Sequence, residues 1–90
     1  MDKLDFKVKD LAHELGYSQR NLTRVLKKLT GLSPVLFILE IRLQKARQLL
    51  ETRQFLSVTE VRYEIGIESA SYFTKKFSER FGRSPSSYLG

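Results

Sequence analysis

Residues 34–52 read PVLFILEIRLQKARQLLET, a helical run that begins almost wholly apolar and ends basic and amphipathic. Ser33-Pro34 is a start signal: a hydroxyl that can cap the helix, then a proline whose missing N–H costs nothing in the first turn. No glycine or proline follows until Gly66. Leu36, Leu39, Leu43, Ala46 and Leu50 recur at steps of three and four and draw one continuous stripe. Ile38, Ile41 and Leu49 widen that stripe, and Val35 and Phe37 nearly close the circle at the N-terminal end. A helix apolar on one face packs against one neighbour, whereas one apolar nearly all round must be enclosed by several. The stretch is therefore expected to be a strut between two bodies.

Before the strut, Val8, Leu11, Ala12 and Leu15 share one face of a first helix, stopped by Gly16-Tyr17. Ser18 caps a second helix that runs to Thr30, with Leu22, Val25, Leu26 and Leu29 as its apolar face and Gly31 placed for a left-handed C-cap. After the strut, Ser57-Val58-Thr59-Glu60 is a capping box opening a fourth helix that ends at Gly66-Ile67. A fifth runs from Ser69 to Phe81, with Phe73, Phe77 and Phe81 four apart, and Gly82 ends it. Ser84-Pro85 then opens a last short helical turn carrying Tyr88 and Leu89. The expected fold class is all-α.

The two flanks repeat each other. Val8, Leu11, Leu15 and Gly16 match Val58, Val61, Ile65 and Gly66 at a spacing of 50 residues. At a spacing of 51, Leu22, Thr23, Arg24, Leu26, Gly31, Ser33, Pro34 and Phe37 match Phe73, Thr74, Lys75, Phe77, Gly82, Ser84, Pro85 and Tyr88. Two copies could be two turns of a helical solenoid, but such arrays generally need three or more units. The unit, a short helix, a tight glycine turn and a longer helix, is the helix-turn-helix arrangement. The polar front of the longer helix is Gln19, Arg20, Thr23, Arg24 and Lys27 in the first copy. In the second it is Ala70, Ser71, Thr74, Lys75 and Ser78. Either front alone reads as an ordinary solvated helix face; two in register, Thr-Arg beside Thr-Lys, point to DNA.

Charge agrees with that reading. Ninety residues make one small domain, with 41% hydrophobic content and no cysteine for a disulfide framework or a thiolate zinc site. The formal net charge is +6 and the pI about 9.8, in the range that marks nucleic-acid binders. Residues 18–53 hold eight cations (Arg20, Arg24, Lys27, Lys28, Arg42, Lys45, Arg47, Arg53) against Glu40 and Glu51, so this segment carries the whole +6. The opening MDKLDFKVKD has no apolar run of secretory or membrane length, so a soluble, cytoplasmic chain without a membrane partner is expected. An enzyme is not expected. The lone His13, near Asp10 and Glu14, reads as a solvated helix edge, so no catalytic residue, metal site or cofactor is assigned.

From Phe6 to Leu89 the chain resembles the DNA-binding domain of the AraC/XylS transcription regulators. The hallmark is Ser57 to Tyr88, SVTEVRYEIGIESASYFTKKFSERFGRSPSSY, and Arg42-Leu43 with Ala46 and Leu49-Leu50 fits that family's linker pattern. The resemblance implies two homeodomain-like helix-turn-helix units, at residues 6–32 and 57–89, joined by a linker helix at 33–53. It implies that the second helix of each unit enters a DNA major groove. Base contacts are then expected from Gln19, Arg20, Asn21, Thr23 and Arg24 in the first unit, and from Ala70, Ser71, Thr74 and Lys75 in the second. Phosphate contacts are expected from Ser18, Lys27, Lys28, Ser69, Tyr72 and Arg83. Arginine can hold guanine O6 and N7 bidentately, worth roughly 1–3 kcal/mol of discrimination, so the first unit is expected to specify more bases than the second with its short Ala70 and Ser71.

Two departures from the family stand in the second unit. Arg62 occupies a position where a small residue such as Ala12 is usual, and is expected to snorkel outward or push the helices apart. Ile67 stands where an aromatic is usual. The resemblance further implies an upstream regulatory portion outside this fragment and contact with RNA polymerase, and the wording TGLSP resembles versions fused to two-component sensor-regulators. A linker of about 20 residues at roughly 1.5 Å each spans about 30 Å, close to the 34–36 Å or so between successive major grooves on one side of B-DNA. Direct repeats predict an asymmetric site for each monomer. Two alternatives stay open: a helical interaction or dimerisation module with a basic face, or DNA reading by the first unit alone.

Overall fold

The computed structural model describes residues 8–55 and 57–89, so the expected start of the first unit at residue 6 lies outside the described residues. Five α-helices follow in order: α1 Val8–Leu15, α2 Gln19–Thr30, α3 Pro34–Glu51, α4 Val58–Ile65 and α5 Ala70–Phe81, then a 3-10 turn, Pro85–Tyr88. The described residues contain no strand. The molecule measures 43 × 29 × 22 Å along its principal axes.

Local chemistry sets the helix boundaries. The hydroxyls of Ser18, Ser33, Ser57 and Ser69 accept the backbone N–H groups of Asn21, Leu36, Glu60 and Tyr72, satisfying one orphan donor at each of four helix starts. In the Ser57 box the Glu60 carboxylate accepts from the Ser57 hydroxyl at 3.1 Å. Gly31 and Gly82 end α2 and α5 at φ values of 77° and 78°, where L side chains are disfavoured. A Cβ at Gly16 would meet nothing within 4 Å, so its φ of 74°, not space, calls for glycine. The strut ends without a glycine: Arg53 takes φ 52°, and the N–H of Gln54 reaches back to the carbonyl of Leu49 at 3.2 Å.

α3 serves two separate cores. Near its N-terminus, Ile38 joins Leu11, Ala12, Leu22 and Leu26, with Val8 and Phe37 at the margin. Further along, Leu43, Ala46, Leu49 and Leu50 join Val61, Ile65, Ile67, Phe73 and Phe77, with Leu39, Phe55, Val58, Phe81, Tyr88 and Leu89 packed on them. The second core is built on an aromatic ladder. Phe77 lies 5.6 Å from Phe73, 4.8 Å from Phe81 and 5.6 Å from Tyr88 between ring centroids. The guanidiniums of Arg47 and Arg80 sit 4.7 and 4.9 Å from the Phe81 centroid.

The enclosure expected around the strut is incomplete. Val35 (66%), Leu36 (48%) and Ile41 (47%) are exposed, as are Leu15 (52%) and Leu29 (75%), both expected on buried faces. The cause is the small size of the first core among the described residues: α1 and α2 meet α3 through Ile38 and Phe37, and the second core reaches back only to Leu39, so Val35, Leu36 and Ile41 are left exposed. Leu29 lies in the last turn of α2, which at about 18 Å outruns the roughly 12 Å of α1.

Glu40 ties the strut to α5. Its carboxylate accepts from Arg80 Nε and Nη2, both at 2.8 Å, and from Gln44 Nε2 at 2.8 Å. The Arg80 hydrogen bonds hold the Glu40 carboxyl below its ordinary value of 4.5, against a smaller opposing effect of burial. A depressed folded-state pKa contributes stability above the unfolded value and loses it as pH falls through the folded one. Glu40→Gln is therefore expected to lower the melting temperature at neutral pH, with the difference from wild type closing well below pH 4.5. A difference that persists unchanged in acid would show that the ion pair is not its source.

Candidate nucleic-acid interface

The glycine turns of the two units are built alike. In the first, Tyr17 N–H reaches the carbonyl of Ala12 at 2.9 Å; in the second, Ile67 N–H reaches that of Arg62 at 3.2 Å. Each turn delivers a serine to the N-cap of a 12-residue helix, so α2 and α5 leave their turns in the same way.

On α2, Arg20, Asn21, Thr23 and Arg24 are exposed and, with Ser18, line one shallow depression of about 410 Å³. Arg24 Nη2 donates to Asn21 Oδ1 at 2.9 Å, so Asn21 orients the guanidinium. The Thr23 hydroxyl donates to the carbonyl of Gln19 at 2.9 Å. Ser18 Oγ accepts from Asn21 N–H at 3.1 Å and thus has a capping task. Gln19, Lys27 and Lys28 are exposed on the same helix.

On α5, Ala70, Ser71, Thr74 and Lys75 are exposed. Ser69 Oγ accepts from Tyr72 N–H at 3.2 Å and lies 3.2 Å from Ser71 Oγ. Tyr72 is exposed, with Lys76 Nζ 5.7 Å from its ring centroid. The other cations near this helix are engaged internally: Lys76 with Glu79 at 3.8 Å and Arg80 with Glu40. Arg83 donates to Ser87 Oγ at 2.8 Å and Ser87 O at 2.9 Å, with its guanidinium 4.0 Å from the Tyr88 centroid. The structure thus gathers Ser18, Arg20, Asn21, Thr23 and Arg24 around one depression, leaves Gln19, Lys27 and Lys28 exposed elsewhere on α2, and sets Arg83 in a brace on the C-terminal turn.

Arg62, expected to snorkel outward or push the helices apart, instead folds back onto the turn that follows its own helix. Its Nη1 donates to the carbonyl of Ile67 at 3.1 Å and to that of Glu68, while its guanidinium lies 4.8 Å from the Tyr63 ring centroid. Arg42 Nη1, from α3, donates to the carbonyl of Gly66 at 3.3 Å. Three consecutive carbonyls of the second turn thus each receive a guanidinium. The sequence signal for this brace was a cation in the last turn of a helix, where carbonyls lack intrahelical partners. Ile67 keeps its place in the second core at 7% exposure.

Two helix-turn-helix units on a shared strut are a recognised arrangement, and comparison with known proteins agrees. Residues 11–90 match the family described as helix-turn-helix domain. A crystal structure of an AraC-type transcriptional regulator from Chromobacterium violaceum superposes with a TM-score of 0.83 at 30% identity, covering 93% of this chain and 74% of that one. The chain belongs to the AraC/XylS family.

This AraC/XylS domain is also similar to the DNA-binding domain of AdpA, a global transcriptional factor solved with a target DNA. That match has a TM-score of 0.80 at 32% identity and covers 98% of this chain and 78% of that one. It is 40% identical over 83 residues to histidine kinase P4 of Formosa agariphila, matching 92% of this chain but spanning 6% of the kinase. As an AraC/XylS domain it is a sequence-specific DNA-binding unit. Among the described residues of this AraC/XylS domain, no cluster of His, Cys, Asp or Glu could hold a metal ion, and no helix is long and apolar enough to cross a membrane.

Proposed function

We propose that the domain docks α2 and α5 into adjacent major grooves on one side of double-stranded B-DNA. The observation that carries this reading is the pair of serine-capped helices leaving matching turns at the two ends of α3. At 18 residues α3 is about 27 Å long, and the 43 Å long axis of the domain is sufficient for grooves about 34–36 Å apart. Gln19, Arg20, Asn21, Thr23 and Arg24 then face base edges, and Ala70, Ser71, Thr74 and Lys75 face those of the second groove. Lys27, Lys28, Tyr72 and Arg83 lie against phosphates. Ser18 and Ser69, whose hydroxyls cap their helices, contribute through the N–H groups they organise. The chain's own role is binding, with no chemical step.

A second reading has its own support: the first unit alone reads bases, while α5 positions the domain. The internal pairing of Lys76, Arg80 and Arg83 favours it. Selection of duplexes from a random pool, then footprinting on the enriched site, separates the readings. Protection of two successive grooves on one face is expected; protection of one leaves α2 as the sole reader. No enrichment at moderate salt would make the domain a protein-interaction module instead. The similarity to a histidine kinase supports a two-component parent, in which a cytoplasmic regulatory portion precedes this domain and RNA polymerase is the transcriptional partner.

A further inference from the structure

Among the described residues, guanidiniums fasten the carbonyls of the second turn and none fastens those of the first. At the position of Arg62 the first unit has Ala12, whose methyl group reaches no carbonyl. We propose that Arg62 is a positioning residue for DNA binding, fixing the second reading helix before DNA arrives; this rests on the two-groove reading above.

The geometry carries the argument. Ile67 and Glu68 are the two residues immediately before the Ser69 cap, so their carbonyls sit on the hinge about which α5 would swing. Arg62 projects from the last turn of α4 and binds both, and Arg42 holds the preceding carbonyl, that of Gly66, from the strut. The hinge is thereby tied to two other helices at once. Hydrogen bonds with an ionised donor are among the stronger ones, and a planar guanidinium loses little freedom in making them. A helix whose groove face offers short side chains at Ala70 and Ser71 gains most from such bracing. Short side chains cannot reach to correct a misplaced helix, and ordering the helix on binding would weaken affinity.

Two measurements on Arg62→Ala test this. Without DNA, amide hydrogen exchange at Tyr72, Phe73 and Thr74, whose N–H groups are hydrogen-bonded in the first turns of α5, is expected to quicken by about tenfold, with α2 amides unchanged. On the selected duplex, affinity is expected to fall by about tenfold, with protection lost over the second groove and kept over the first. The salt slope should stay at the wild-type value, because a lost phosphate contact would flatten it by about 0.9. Exchange in α5 at the wild-type rate would overturn the brace. A flattened slope would make Arg62 a phosphate contact, and quicker exchange in α2 as well would make it a general stability residue; either overturns the proposal. A wild-type footprint over one groove would defeat the two-groove reading, and with it the link to DNA, whatever the exchange shows.

Discussion

Phe77→Ala is expected to cost about 3–5 kcal/mol, the range for deleting a buried aromatic side chain from a packed core. Phe77 is wholly buried and meets Phe73, Phe81 and Tyr88, so it joins the two ends of α5 to the C-terminal turn. A cavity there has few routes to collapse, because Leu50 and Val61 on the facing helices are themselves fully buried. Domains hold about 0.05–0.15 kcal/mol per residue, so the loss is a large part of the stability of a 90-residue chain. Urea unfolding followed by far-ultraviolet circular dichroism gives the size. A midpoint shift worth less than about 1 kcal/mol would mean that the aromatic ladder is not packed as described.

The second large effect is on recognition. Replacing Arg20 and Arg24 together by alanine removes both long hydrogen-bonding cations from the depression on α2. A bidentate contact to guanine is worth about 1–3 kcal/mol of discrimination. If each side chain makes one and the losses add, selectivity for the chosen duplex over a random one should fall by about thirtyfold or more. Arg24 should show coupling to Asn21, which orients it in the free protein. Thus Asn21→Ala is expected to carry part of the Arg24→Ala loss, and the double variant less than their sum. Competition titrations against random duplex at constant salt measure the ratio; an unchanged ratio would take both arginines out of the reading set.

Much of this architecture is local and hence legible in the chain. Serine at each of the four capped helix starts, and glycine after α1, α2, α4 and α5, act within a few residues of themselves, so spacing alone places them. The candidate reading face of α2 is equally local, since Ser18 to Arg24 occupy two turns of one helix. What pattern does not convey is coverage. Val35, Leu36 and Ile41 have the spacing of buried residues, but whether a partner lies over them depends on where other helices run. The pattern places the end of α3 at Thr52, the observed C-cap, but not how it ends, because Arg53 adopts the left-handed conformation that glycine usually supplies. Arg62 and Arg42 were hidden for another reason: a guanidinium can project into solvent or fold back on a turn, and the choice is made by carbonyls 66 to 68.

The unequal cores on the two sides of the strut have a thermodynamic consequence. Local opening follows the apolar contacts it must break; among the described residues the first core holds five buried residues against nine in the second, so the first unit is expected to open at lower free energy. The half carrying Arg20 and Arg24 is thus the half with more to gain from a ligand. If α2 reads DNA as proposed, a duplex bound there draws the open population back by mass action and firms that end of the domain most on the site it binds tightest. Selectivity and folding are then linked: a wrong sequence, held by phosphates alone, leaves the first unit nearly as free to open as it was in solution.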